Sequence, residues 1–245
     1  MHRFFVKPEQ IGEREIRILG GDVNHISHVL RMRPGDELCV CDGDKMEYTS
    51  RILEISPEEI RVEILYGQEQ GLELPCRVTL FQGLPKGDKM ELIVQKAVEL
   101  GAWEIVPMVT RRAVVKLDRK KEEAKLRRWQ GIAESAAKQA KRMRIPKVCP
   151  VMTFAQAAEY AAGMEVRLIP YELAKDMSAT RKVLEGIRPG QRVGIFIGPE
   201  GGFDPEEVEL ACAHGITPIT LGKRILRTET AGFALLSILM YLLEE

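Results

Sequence analysis

IFIGPEGGFDPEE, Ile195 to Glu207, crowds glycine, proline and acid into one turn. Gly198, Pro199, Gly201 and Gly202 follow a short apolar run. A tight glycine turn between a strand and a helix is a common phosphate cradle. Here Glu200 stands inside the turn, and Asp204, Glu206 and Glu207 open the next helix. An anion would meet four carboxylates, so the turn suits a neutral or cationic group. A second loop, LGKRILRTETA (221–231), sets Ile225 and Leu226 among Lys223, Arg224 and Arg227. Loops turn polar atoms outward, so the Ile-Leu pair is expected to pack under something apolar and flat. Thr228 is placed to cap the helix that follows. A third loop, IPYELAKDM, carries Tyr171 and Glu172. Together the loops fit a ligand with an aromatic ring, a polar sugar and a neutral or positive reactive centre.

The elements around these loops must bring them together. From RVTLFQGL onward, strand-like runs alternate with helix-like ones: WEIVPMV, EVRLIPYE, RVGIFIG and TPITLG are strands, separated by amphipathic stretches. Such alternation implies an α/β fold with a parallel sheet covered on both faces. Ligands bind such sheets at the carboxyl ends of the strands, where all three loops lie. Residues 1–70 differ. Arg3–Val6, ELCVCDGD, and the pair MEYTSRILEI and IRVEIL around SPEE read as short strands and a hairpin, a small β-barrel. DVNHISHVLRM reads as a short helix. The polar stretch 67–75 is the expected linker, and a second domain spans 76–245.

Charge is unevenly spread. Lys and Arg number 36, as do Asp and Glu, so the chain is formally neutral. Residues 111–147 hold 14 basic and 4 acidic side chains, leaving the remainder equally acidic. The block is expected to be one long helix ending at Arg144, before Pro146. It is either a solvated helix face or a nucleic-acid surface, and its order favours the second. Lys138, Lys141 and Arg142 would share one face at helical spacing. Five scattered cysteines, without a signal-peptide pattern, suggest reduced thiols in a cytoplasm. The apolar run Ala231–Leu243 is too short for a membrane span. A helix apolar on nearly all sides needs cover on nearly all sides, which a partner subunit would supply. His25-x-x-His28 with Cys39-x-Cys41 does not match zinc-finger spacing, so no metal is expected.

GPEGG and LGKRILRTETA, with HRFFV, HISHVLRMRPGD, QGLPKGDKMELIVQKAVELG and RWQGIAESAAKQAKRMRIP, strongly resemble the SPOUT methyltransferases. Within these the chain resembles the RsmE-type small-subunit rRNA uridine-N3 methyltransferases, over nearly its whole length. The resemblance implies S-adenosylmethionine bound bent between the three loops, at Tyr171, Glu172, Gly198, Pro199, Glu200, Gly201, Gly202, Leu221, Gly222, Ile225, Leu226, Arg227 and Thr228. It implies a C-terminal trefoil knot, a PUA-like N-terminal barrel that grips RNA, and a homodimer. It also implies methylation of a uridine N3 in the decoding region of 16S rRNA in the small ribosomal subunit.

A sulfonium needs only an in-line nucleophile, so positioning does much of the work. The uridine imide must lose its proton, and a cation would stabilise the resulting charge. Arg227 is the candidate, with Arg142 and Lys86 behind it; an ion pair of Arg227 with Glu229, or with an acid of a partner subunit, is the structural alternative. No residue stands out as general base. RNA contacts are expected from Arg3, Arg31 and Arg33 in the barrel, and from Lys86, Lys138, Lys141, Arg142 and Arg144. Two other readings are an RNA-binding assembly factor without catalysis and a phosphate-binding NTPase. The second lacks the Gly-Lys-Ser/Thr of such loops.

Overall fold

A computed structural model describes residues 1–69, 71–115 and 118–244. Gln70 of the expected linker, Lys116 of the basic block, Leu117 and Glu245 lie outside the described residues. The chain divides into two compact units, Met1–Glu73 with Ala137–Ile145, and Leu74–Ala136 with Pro146–Glu245.

The first unit is built on β1 (Arg3–Phe5), β2 (Glu15–Leu19), β3 (Glu37–Cys41), β4 (Met46–Ile55) and β5 (Glu59–Glu69). Their order is β1-β3-β4-β5-β2, parallel only between β1 and β3. β1 and β2 are unjoined edges, so the sheet is a curled half-barrel, not a closed one. Register shifts in β4 at Thr49/Ser50 and Ile52/Glu54 add local twist and help it curl. Its concave core holds Phe4, Ile16, Ile18, Leu38, Val40, Ile52, Ile60 and Val62, alternate residues of their strands. β5 runs through Glu69, into the stretch expected to be linker. The short helix is α1 (Gly21–Asn24) continued by a π-helical turn, His25–Val29.

The second unit contains β6 (Arg77–Gly83), α2 (Lys89–Glu99), β7 (Glu104–Val109), most of α3 (Arg119–Gln139), β8 (Lys147–Val148), β9 (Met152–Thr153) and α4 (Phe154–Tyr160). Then follow β10 (Val166–Pro170), α5 (Met177–Glu185), β11 (Arg192–Ile197), α6 (Pro205–Ala213), β12 (Thr217–Ile219) and α7 (Thr228–Leu243). The sheet is parallel, in the order β12-β10-β11-β6-β7-β8, with β9 also on β7. β6 and β11 are buried over almost every residue, as central parallel strands require. Phe81 and Phe196 stack across them, centroids 4.2 Å apart.

α2 ends as its glycine predicts. Gly101 has φ +88°, its N–H reaches Val98 O, and Ala102 N–H reaches Ala97 O. The basic helix ends earlier than expected, at Gln139 rather than Arg144. Lys141 takes φ 57°, with Lys141 N–H on Lys138 O and Arg142 N–H on Ala137 O. This is the glycine-type helix stop made by a lysine. Lys138, Lys141 and Arg142 therefore share no helical face. Among the described residues no helix is long and apolar enough to cross a membrane.

Candidate active site

The strands β12, β10 and β11 are neighbours, so their carboxyl-end loops are neighbours as well. Tyr171 N–H donates to Ile219 O at 2.9 Å, and Thr220 N–H donates to Thr180 Oγ1 at 3.0 Å. These bonds tie the loop after β12 to the loop and helix after β10. Leu173 is 67% exposed and Ile225 85% exposed at these ends, and Met177 is exposed as well. Leu221, Gly222 and Leu226 are half-buried, as is Tyr171, which packs on the core; Glu172 is exposed.

The acids of the glycine turn are all engaged by the protein itself. Glu200 accepts from Lys86 N–H at 3.1 Å and from Lys89 Nζ at 3.0 Å. Partial burial alone would raise its pKa, but the Lys89 ammonium and backbone N–H donors hold it below the usual carboxylate range. Lys89 is raised in turn, chiefly by its bond to Glu200, and reaches Glu229 at 3.6 Å. Asp204 and Glu207 form the capping box of α6, with Asp204 N–H on Glu207 Oε2 at 2.9 Å. The other Glu207 oxygen accepts from Arg111 N–H at 2.8 Å. Glu206 pairs with Arg111 at 2.5 Å. Glu200, expected to bind cofactor, thus points its carboxylate at the start of α2. It is a clasp between two loops.

The backbone of the turn is what remains for a ligand. Gly202 has φ +66°, which side chains rarely adopt. A Cβ on Gly83 would lie 2.7 Å from the nitrogen of buried Pro199, so β6 and this turn meet through a glycine. Gly198 lies against Gly202, where a Cβ would meet backbone at 3.1 Å. Gly201 faces Arg112, whose Nη1 donates to its carbonyl at 3.1 Å.

Thr228 has a different role from the one expected. Arg227 is the N-cap residue of α7, and Thr228 is its first helical residue. The Thr228 hydroxyl donates to Gly198 O at 2.6 Å and accepts from Gln82 Nε2 at 2.9 Å. It joins β6, the glycine turn and α7 in one buried chain. Gln82, Gly83, Lys89 and Arg112 were not singled out by sequence, although Gln82 is a polar residue directly after the apolar pair Leu80-Phe81.

Arg227 is exposed, and among the described residues no hydrogen bond or ion pair holds its guanidinium. Glu229, the partner within the chain in the structural alternative, is turned to Lys89.

The remaining cations sort differently from expectation. Arg31 and Arg33 are exposed, and so are Lys86 and Lys141. Arg144 is half-buried, and Lys138 pairs with Asp22 at 3.0 Å. Arg3 turns inward to Glu47 and to Lys141 O, at 2.9 Å from the latter. Arg142 is 4% exposed and lays its Nε on both Glu73 oxygens at 3.0 Å. A guanidinium so enclosed reaches neither phosphate nor substrate base. The charge of Arg142 neutralises a neighbour in the same unit.

Residues 72–240 match the RNA methyltransferase domain family, and residues 18–65 match the RNA methyltransferase PUA domain. The chain is 36% identical to a ribosomal RNA small subunit methyltransferase E of Bacillus subtilis, over 98% of this chain and 96% of that one. The chain belongs to the ribosomal RNA small subunit methyltransferase E family. A second member, from Synechocystis, is 33% identical over 100% of this chain and 78% of its own. The crystal structure of the Neisseria gonorrhoeae member, bound to S-adenosyl methionine, superposes with a TM-score of 0.84. It is 33% identical and covers 99% of this chain and 98% of that one. The family accounts for both units, a PUA half-barrel and an RNA methyltransferase domain, in one chain. It is a family of S-adenosylmethionine-dependent rRNA methyltransferases, as the resemblance in the sequence implied.

Proposed function

We propose that this protein transfers the S-adenosylmethionine methyl group to N3 of a uridine in the decoding region of 16S rRNA, in the cytoplasm. The observation that carries the reading is the state of the three loops. The turn after β11 has every acid engaged and offers backbone, while the loop after β12 leaves Ile225 exposed and Arg227 without a partner among the described residues. Ile225 and Leu226 would take the flat apolar adenine, and the backbone at Gly198, Pro199 and Gly202 would line the side of the sulfonium. Tyr171, Leu221, Gly222 and Thr228 hold the loops that enclose it.

Arg227 stands at the start of α7, where its backbone is held and its side chain is not. A guanidinium there stabilises the negative charge on the deprotonated base and stays charged throughout. Arg31, Arg33, Lys86, Lys141 and Arg144 take phosphates; Arg3 and Arg142 drop out of that surface. The chain after β12 threads a trefoil knot, and two chains pair through α7. Leu235, Leu236 and Leu239 are buried within the chain, so the pairing face is Ile238, Tyr241 and Leu242. The domains are residues 1–70 and 76–245, except that residues 137–145 group with the first.

The test is methylation of small ribosomal subunits by the purified protein with S-adenosylmethionine, followed by mass mapping of rRNA nucleosides. One 3-methyluridine per subunit is expected. Methyl groups on another base, or none, would sink the reading.

A further inference from the structure

The sheet of the first unit has a second, smaller interior. β3 is buried on both faces, with Leu38 and Val40 in the main core and Cys39 and Cys41 on the other side. Register fixes what surrounds the two cysteines. Arg3, Cys39 and Thr49 are cross-strand partners, as are Phe5, Cys41 and Glu47. With period-two alternation these six side chains share one face. Met143 packs against the cysteines, and Phe5 borders them. The Sγ atoms of Cys39 and Cys41 and a carboxylate oxygen of Glu47 all lie within 4.8 Å of one another.

We propose that Cys39, Cys41 and Glu47 form a zinc site. Tetrahedral zinc with thiolate bonds of about 2.3 Å separates its sulfurs by about 3.8 Å, so each donor need move by only a fraction of the present spacing. Charge supports a dication. Two thiols, the Glu47 carboxylate and the Arg3 guanidinium are neutral together. Zinc replaces the two thiol protons, which leave to solvent, and the cluster is neutral again. No oxidation is involved. A fourth ligand is water or another small donor.

Arg3 serves the site from outside. It ion-pairs with Glu47, lies 3.5 Å from Cys41 Sγ, and is anchored on Lys141 O at 2.9 Å. Ligating carboxylates are usually held by such outer hydrogen bonds. The sequence weighed the cysteines only with His25 and His28 and so gave no reason to expect a metal; both histidines are exposed on the π-helical turn. The donor that belongs with the cysteines is Glu47, found through strand pairing.

The experiment is zinc titration of the full chain, with bound metal counted after dialysis and the unfolding temperature read alongside. One zinc per chain is expected, with an unfolding temperature that rises with zinc and falls back with chelator. Cys41→Ser should abolish retention. Arg3→Gln should weaken zinc by roughly 10–100-fold, as outer-shell changes do. Cobalt(II) on the wild-type chain is the check independent of any variant, since thiolate ligation produces an intense near-ultraviolet charge-transfer band. No zinc on the wild type, no such band, or equal zinc on folded Cys41→Ser would overturn the site. So would a preference for copper(I) with zinc excluded.

Discussion

Two neighbouring loops use charge in opposite ways. The turn after β11 carries Glu200, Asp204, Glu206 and Glu207, and each is engaged by a lysine, an arginine or a backbone N–H. The loop after β12 carries Lys223, Arg224 and Arg227, all exposed and none with a partner among the described residues. The first is a scaffold whose backbone is shaped by its side chains. The second leaves its charged side chains exposed, which is what the proposed contact surface requires. Charge in a loop therefore identifies a ligand only after its partners within the chain have been counted.

The comparison can be broken most strongly at Arg227. Arg227→Ala is expected to cut the single-turnover methylation rate by about 10²–10³, the loss typical of a removed electrostatic stabiliser. S-adenosylmethionine affinity should hold, and Arg227→Lys should recover part of the rate. A rate intact with affinity lost would move Arg227 from chemistry to cofactor binding. The next effect is steric. Gly198→Val sets a branched side chain against the Gly202 backbone, 3.1 Å from its Cβ. Overpacking of this kind costs about 1–3 kcal/mol, or roughly 10–100-fold in cofactor affinity if the turn bears it. Calorimetry that finds normal affinity would show that the turn does not shape the pocket.

A smaller effect should follow loss of the clasp. Lys89→Met leaves Glu200 with its N–H donors alone and is expected to weaken cofactor binding by about tenfold or less. The pH dependence has a definite sign. Glu200 is depressed in the folded chain, so its contribution is complete above the ordinary carboxylate pKa of about 4.3 and is lost as pH falls through its lower folded value. Cofactor affinity should therefore be flat from neutral pH to about 5 in this respect. The smallest effect per residue belongs to RNA phosphates. Reversing Arg31, Arg33 and Lys141 together should flatten the salt dependence of rRNA binding by about one unit per lost contact. An unchanged slope would remove them from the interface.

Much of the architecture was legible because it is local. Alternating strands and helices, the Gly101 stop and the Asp204 start are written in short windows of sequence, and the parallel sheet follows from them. That the three loops lie at the carboxyl ends of strands was legible for the same reason; the order of those strands in the sheet was not. What stayed hidden depends on partners distant in the chain. Arg142 reads as a surface cation until Glu73, 69 residues earlier, encloses it. Nothing near Glu200 in the sequence announces its carboxylate's partner, Lys89, 111 residues before it. Thr228 reads as a cap, yet its hydroxyl is committed to Gly198 and Gln82. Lys141 hid the end of α3, since nothing in its chemistry announces the left-handed conformation that glycine usually supplies.

The central claim is that the turn after β11 is scaffold and the loop after β12 is contact. It is tested most directly by S-adenosylmethionine titrations on two variants side by side. In Glu200→Gln/Lys89→Gln the clasp becomes an uncharged pair, and removing both partners of a polar contact is nearly neutral. In Ile225→Asp a carboxylate replaces the exposed apolar surface at the proposed adenine face. The account predicts that the first variant binds within a few-fold of wild type and that the second loses affinity by tenfold or more. Affinity destroyed in the double variant and preserved in Ile225→Asp would contradict it.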